Sequence, residues 1–293
     1  MGTARLPLER MDHGPAAGVV TMTLRQEGRP VVVLDSDLLR AIDATLDEVA
    51  DAKGFVLASD SRVFVAGANL QEIMGLSDKE LDEYLRFGSR VYGRIAAMPW
   101  TTVAAINGAA LGGGLEIAMH CDHLIAMAPG EREYQVGLPE AGLKICPGWG
   151  GTNLLPARMD AGRAMEMTAS GATMKVSDAA RAGLIEEMEP DHEALLCRAR
   201  ALAAVGKPKP RTEPIAITNP EHHAEAKAGL ERVRSAIGGT ASGASVVACV
   251  EAGLSGGWEA ALACERASLI RLRNSDEGRG AIEAFFAKST GKK

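Results

Sequence analysis

Thr102-Val-Ala-Ala-Ile-Asn-Gly-Ala-Ala-Leu-Gly-Gly-Gly-Leu-Glu-Ile-Ala-Met-His-Cys-Asp122 decides how the chain is read. It begins as a buried strand over 102–106, turns at Asn107-Gly108, and opens a helix at Gly112-Gly113-Gly114. Glycines there allow a sharp turn and let backbone N–H groups approach a ligand with no Cβ in the way. The first N–H groups of a helix lack intrahelical partners and lie at the positive end of its dipole. Such a place favours an anion, or an oxygen that becomes one during a reaction. A phosphate loop would need Gly-Lys-Ser or Gly-Lys-Thr next, and a dinucleotide fingerprint would need glycine where Ile117 stands. Glu116, in the first helical turn, would also repel a bound pyrophosphate. A fixed carboxylate beside bare N–H groups suits proton chemistry next to a developing oxyanion. The same residues equally suit a turn that only packs a helix closely on a strand, with Glu116 serving the helix dipole.

Working outward, the order of elements is that of an α/β protein. Residues 18–24 and 30–34 are two β-branched runs separated by a short polar stretch, which predicts a hairpin. Asp35 or Ser36 caps a helix to about Asp51, and residues 54–58 form a buried strand. Phe64-Val-Ala-Gly-Ala-Asn-Leu70 places small residues before a helix whose N-cap is Asn69. A long helix over 78–98 ends at Pro99. After the glycine turn come strands at 123–127 and 134–137, then Gly-Leu-Pro-Glu140. The turn-rich Pro147-Gly-Trp-Gly-Gly-Thr152 follows. Residues 191–204 are helical, the proline-rich 206–214 reads as a connector, and 221–287 is almost wholly helical. A boundary is expected there, with residues 1–205 as an α/β core and 206–293 as a helical region.

The 293 residues are 46% hydrophobic and 24% charged with net charge -6, a composition that argues against a general nucleic-acid binder. The five cysteines are odd in number and show no paired metal spacing. With charges throughout the first dozen residues and no apolar run of membrane length, the expectation is a cytoplasmic protein without a membrane partner. His120 and His123 lack an acidic partner at ligand spacing, so no metal is expected. Cys146 reads as a buried structural thiol, and Trp149 as a residue lining or propping a pocket.

Phe64–Leu70, Ala105–Glu116, Cys121-Asp122, Gly137–Glu140 and Pro147–Thr152, in that order, resemble the crotonase superfamily of enoyl-CoA hydratases and isomerases. The wording is closest to the hydratase half of multifunctional fatty-acid oxidation enzymes. The resemblance spans about residues 17–190, and Ile282-Glu-Ala-Phe-Phe286 extends it more faintly. It implies a spiral of ββα units with a helical C-terminal domain that assembles trimers, often paired as hexamers. It also implies an acyl-CoA thioester substrate, with coenzyme A entering as part of that substrate and no separate cofactor. By position, the N–H groups of Ala66 and Gly113 would hold the thioester oxygen, and Glu116 and Glu140 match the two catalytic glutamates. Gly67, Ala68, Asn69, Leu70, Gly112, Pro139, Gly148 and Trp149 would contact substrate. By analogy Glu116 activates water and Glu140 delivers the proton. Asn69 stands where the family usually has Asp, which preserves a cap and removes a charge. Double-bond isomerisation, thioester hydrolysis and non-catalytic acyl-CoA binding are the alternatives.

Overall fold

In the computed structural model, residues 4–206 and 212–290 are described. The chain forms two compact units, and neither is a single stretch. The first takes residues up to 68, 87–136 and 174–215, and the second takes 69–86, 137–173 and 216 onward. The expected boundary after residue 205 differs from this. Two earlier segments, 69–86 and 137–173, pack with the C-terminal helices. The expected connector falls partly at 207–211, and Lys292-Lys293 falls at the C-terminus; both lie outside the described residues.

The first unit is built on a six-stranded sheet. In spatial order its strands are Leu8–Arg10, Val19–Leu24, Gly54–Ser59, Thr102–Ile106, His123–Met127 and Glu187–Glu189. The first pair is antiparallel, with Leu8 opposite Met22. Every later pair is parallel, as in Val20 beside Phe55 and Ala104 beside Leu124. Parallel strands covered on both faces read as continuous apolar runs, which is how 54–59 and 102–106 read and why all their residues are buried. Leu195, Ala199 and Ala203 recur every four residues on the helix His192–Ala203. They pack onto Val19, Val56, Val103 and Ile125 of one sheet face. Full burial of each such aliphatic side chain is worth roughly 1.5–3 kcal/mol.

The predicted hairpin is corrected. Residues 19–24 pair with 8–10 and 54–59, and 30–34 contributes only an isolated parallel bridge from Leu34 to Ala68. A β-branched run was enough to suggest a strand, but Gln26 spends its side chain on this segment, accepting from the Val33 N–H and donating to Asp35. Asp35 then caps Ser36–Leu46 by accepting from Leu38 N–H. A second, three-stranded sheet has the order Ala110–Leu111, Gln135–Gly137, Thr173–Lys175.

The second unit is mostly helical. Ala161–Ser170 and Pro220–Ile237 pack through Ala161, Met165, Leu230 and Val233, with Val250 from Ala241–Arg273 closing the cluster. Ala241–Arg273 is apolar and long enough by composition to cross a membrane. Gly257 breaks it, however, with non-helical φ 79 and ψ -171. Neither half alone reaches the ~20 residues a span needs, and Glu265, Arg266 and Arg273 are buried along the second half.

Candidate active site

Within the first unit, two stretches of small residues run side by side. Val65 bridges to Ala110 in parallel, with Val65 N–H donating to Ala109 O and Leu111 N–H donating to Val65 O. The approach is close: a Cβ on Gly114 would lie 2.5 Å from the Val65 carbonyl oxygen and 2.6 Å from the Val65 Cβ. Gly112, the N-cap of Gly113–Met119, has φ 53 and ψ -126, a conformation that only glycine adopts without strain. The glycines therefore serve both the turn and the close packing, and the N–H of Gly113 emerges with no intrahelical acceptor.

Ala66 cannot be the second donor. Its N–H is already bonded to the Val32 carbonyl at 2.9 Å. Gly67, at φ 118, turns the next peptide, and its carbonyl takes the Leu34 N–H. Ala68 pairs with Leu34 in the bridge, and its own N–H has no acceptor among the described residues. The donor assignment thus moves two residues, from Ala66 to Ala68. Glu116 lies in the first turn of the helix after Gly112 and is 1% exposed, with its N–H bonded to Gly112 O. One turn on, His120 Nδ1 contacts Glu116 O at 2.8 Å and its ring meets Tyr92 edge-on. His123 contacts Glu186 instead, so each histidine has a local protein partner.

The second unit holds the other predicted residues. Asn69 caps Leu70–Gly75, its side chain accepting from the N–H groups of Gln71 and Glu72. Leu70 packs on the cluster of Ile145, Cys146, Cys249, Leu272 and Ile282. Pro139 starts the short 3-10 helix Pro139–Leu143, which carries Glu140. Glu140 is half-buried as a residue, yet its Oε2 is shielded from solvent with no hydrogen-bond partner among the described residues. Burial pushes this carboxyl up to about 7; a bond from its own backbone N–H opposes the shift, and the charge of Glu265 adds to it.

Gly148 sits where a Cβ would press on Leu85 and Leu269. Trp149 is 2% exposed, donates from its indole to Leu85 O at 3.1 Å, and meets Tyr84 edge-on at 5.4 Å. Its packing in this unit is thus that of a prop. Glu265 was not singled out from the sequence. It is fully buried and accepts from Gly150 N–H at 2.5 Å, Thr152 N–H at 2.8 Å and the Thr152 hydroxyl. An acidic residue in a long helix over a hundred positions away carries no local signal of that role.

The sequence profile of the enoyl-CoA hydratase/isomerase family matches residues 15–237. The chain belongs to that family. Solved structures with the same fold include an enoyl-CoA hydratase from Bacillus halodurans, at 21% identity and TM-score 0.68, covering 96% of this chain and 100% of the other. The human mitochondrial delta3-delta2-enoyl-CoA isomerase matches at 20% identity and TM-score 0.70, covering 99% of each chain. A putative enoyl-CoA hydratase from Mycobacterium avium paratuberculosis matches at 22% identity and TM-score 0.66, covering 97% of each. The expected α/β crotonase fold with its helical C-terminal region is thus the fold of this protein. Hydratases and an isomerase stand at nearly equal distance from it.

Proposed function

We propose that the protein is an enoyl-CoA hydratase, adding water across the double bond of a 2-enoyl-CoA thioester. Water addition puts oxygen on C3 and a proton on C2, and the electron pair passes through an enolate on the thioester oxygen. Ala68 and Gly113 N–H are the donors assigned to that oxygen, and each such donor is typically worth about 3–4 kcal/mol in the transition state. Glu116 is assigned as the base for water and Glu140 as the acid for C2. No metal or redox cofactor enters this scheme, and an assembly of trimers or hexamers in the cytoplasm is part of the same proposal.

The observation that carries the reading is the state of Glu140. A carboxyl raised to about 7 is still substantially protonated at neutral pH, which is what a proton donor needs. For the coenzyme A phosphates, a recess of about 430 Å³ in the first unit supports the assignment, with Arg25, Arg29 and Arg62 among its lining residues. Arg25 and Arg29 are partly neutralised by Asp60 and Asp35, which leaves Arg62 as the leading anchor.

The same observation favours a second reading. A single carboxyl near neutrality is also suited to carry a proton between C2 and C4 in double-bond isomerisation. Hydration requires both glutamates to serve one substrate, and isomerisation requires only one. The deciding experiment follows crotonyl-CoA hydration and 3-enoyl-CoA isomerisation in wild type, Glu116→Gln and Glu140→Gln. Hydration lost in both variants, with acyl-CoA binding retained, supports the hydratase. Isomerisation surviving in Glu116→Gln, with no hydration in wild type, establishes the isomerase.

A further inference from the structure

Glu265 is a carboxylate removed from water, and among the described residues no cation is hydrogen-bonded to it. Its neighbour Arg266 faces Asp82 at 3.5 Å. The donors it accepts from, two backbone N–H groups and one hydroxyl, all come from the turn that follows Glu140 in the chain. Leu143, Ile145 and Cys146, between Glu140 and that turn, pack against Cys264, which is adjacent to Glu265, and against Cys249 and Leu272. The segment 140–152 is therefore fastened to both halves of Ala241–Arg273 by an apolar cluster, and to the second half by one carboxylate.

We propose that Glu265 is a positioning residue for Glu140: it pins the Gly150–Thr152 turn and opposes a second negative charge in the same buried region. Two carboxyl groups that share a poorly solvated region separate in their tendency to ionise, and the better hydrogen-bonded one keeps the charge. Burial raises Glu265 as well, but its three donors oppose that, whereas the Glu140 Oε2 has none. Glu265 therefore holds the charge and Glu140 holds the proton. The charged groups on the two helices that pack against Pro139–Leu143 face solvent. Arg163 and Glu166 on 161–170 are exposed, as are Asp276, Glu277, Arg279, Glu283 and Lys288 on Asp276–Thr290. Lys144 and Glu277 line an open recess beside Ala141. Near Glu265 itself stand Arg266 and the thiols of Cys249 and Cys264; contact with Cys146 and burial push Cys249 up, and contact with Cys249 and burial push Cys264 up, so both stay protonated.

The proposal rests on Glu140 as proton donor for its purpose, but its test needs no turnover. Protein labelled with 13C at glutamate side-chain carboxyls is titrated without substrate, and the Glu140 resonance is identified by its loss in Glu140→Gln. Glu265→Gln keeps an acceptor for the turn and removes the charge. It should move the Glu140 midpoint down by about one pH unit. Thr152→Val removes the hydroxyl donor, makes Glu265 the easier group to protonate, and should shift Glu140 the same way by less. Thr152→Val also covers the case in which Glu265→Gln does not fold. A Glu140 midpoint unmoved in the folded variants overturns the proposal, even where thermal stability falls. A shifted midpoint in a protein with no hydratase activity leaves the proposal standing and overturns the hydration reading instead.

Discussion

Around Gly112–Gly114 the groups proposed to work are backbone N–H donors, and three glycines, a buried helix and a parallel bridge at Val65 hold them. Around Glu140 the proposed working group is a side chain, and its ionisation is set by burial and by a second carboxyl 125 positions further on, the difference between 265 and 140. The first device depends on shape alone and is insensitive to pH. The second depends on the balance between desolvation, hydrogen bonds and charge, so conditions and distant substitutions tune it. The glycine turn at 112–114 is written in the local sequence, whereas a perturbed ionisation is written in whatever packs around it.

The side-chain device should give the largest loss when broken. Glu140→Gln removes the proton but preserves shape, and turnover of crotonyl-CoA should fall by about 10²–10⁴-fold with KM little changed. A drop of less than tenfold would remove Glu140 from the role of acid.

The backbone device is next. Gly114→Ala places a methyl within 2.5 Å of the Val65 carbonyl, so the 65–68 and 111–114 stretches must separate. Loss of donor geometry should lower turnover by about 10²–10³-fold. Gly130→Ala is the control, since nothing lies within 4 Å of a Cβ there. Equal effects of the two substitutions would contradict close approach as the reason for Gly114.

A third test separates the devices by pH. Glu140 is raised in the folded state, so its neutral form contributes stability that is fully present below the ordinary value of 4.5. That contribution is lost as pH rises through about 7. Wild type should lose unfolding free energy across that window and Glu140→Gln should lose less, as urea unfolding at several pH values would show. Turnover should fall above about pH 7 for the same reason. Parallel stability curves for the two proteins would mean that Glu140 ionises freely.

How much of this was legible follows from the same contrast. Gly112–Gly114, Glu116 and the Asn69 cap were readable because each depends on neighbours within a few positions. The proposed donor moves by two because the partner that occupies the Ala66 N–H is Val32, far back in the chain, and a pairing partner leaves no mark on a run of Ala-Gly-Ala. The first hairpin was misassigned for a related reason: periodicity says that a segment is extended and not what it pairs with. Glu265 was invisible because a glutamate in a helix reads as solvated until the fold buries it. The two compact units leave no continuous mark in the sequence either, since 69–86 and 137–173 join the C-terminal helices through packing and not through sequence continuity.

Arg273 tests whether the second unit depends on such distant fastenings elsewhere. It is 3% exposed and donates to the carbonyls of Ile73 and Leu76, the latter at 2.8 Å, and it also reaches Asp78. Arg273→Met keeps the stem and leaves two carbonyls at the end of Leu70–Gly75 without their donor. The expected cost is about 2 kcal/mol in urea unfolding, with turnover changed less than by Gly114→Ala. A cost within 0.5 kcal/mol, on the order of a surface substitution, would show that water replaces the arginine.

The smallest effect belongs to Asn69, where the backbone and side-chain devices meet in sequence. Its side-chain oxygen accepts from Gln71 and Glu72 N–H, so Asn69→Ala should cost about 1 kcal/mol. Asn69→Asp keeps the oxygen and adds the charge that the family usually carries at this position, and as a cap it should be neutral within a few tenths of a kcal/mol. If stability is unchanged but turnover rises several-fold, the missing charge has a part in the chemistry, and this chain works with a reduced set of groups. If both are unchanged, the cap is all that the position supplies. The conversion of Asp to Asn then costs nothing, because an N-cap needs an acceptor oxygen and not an ion.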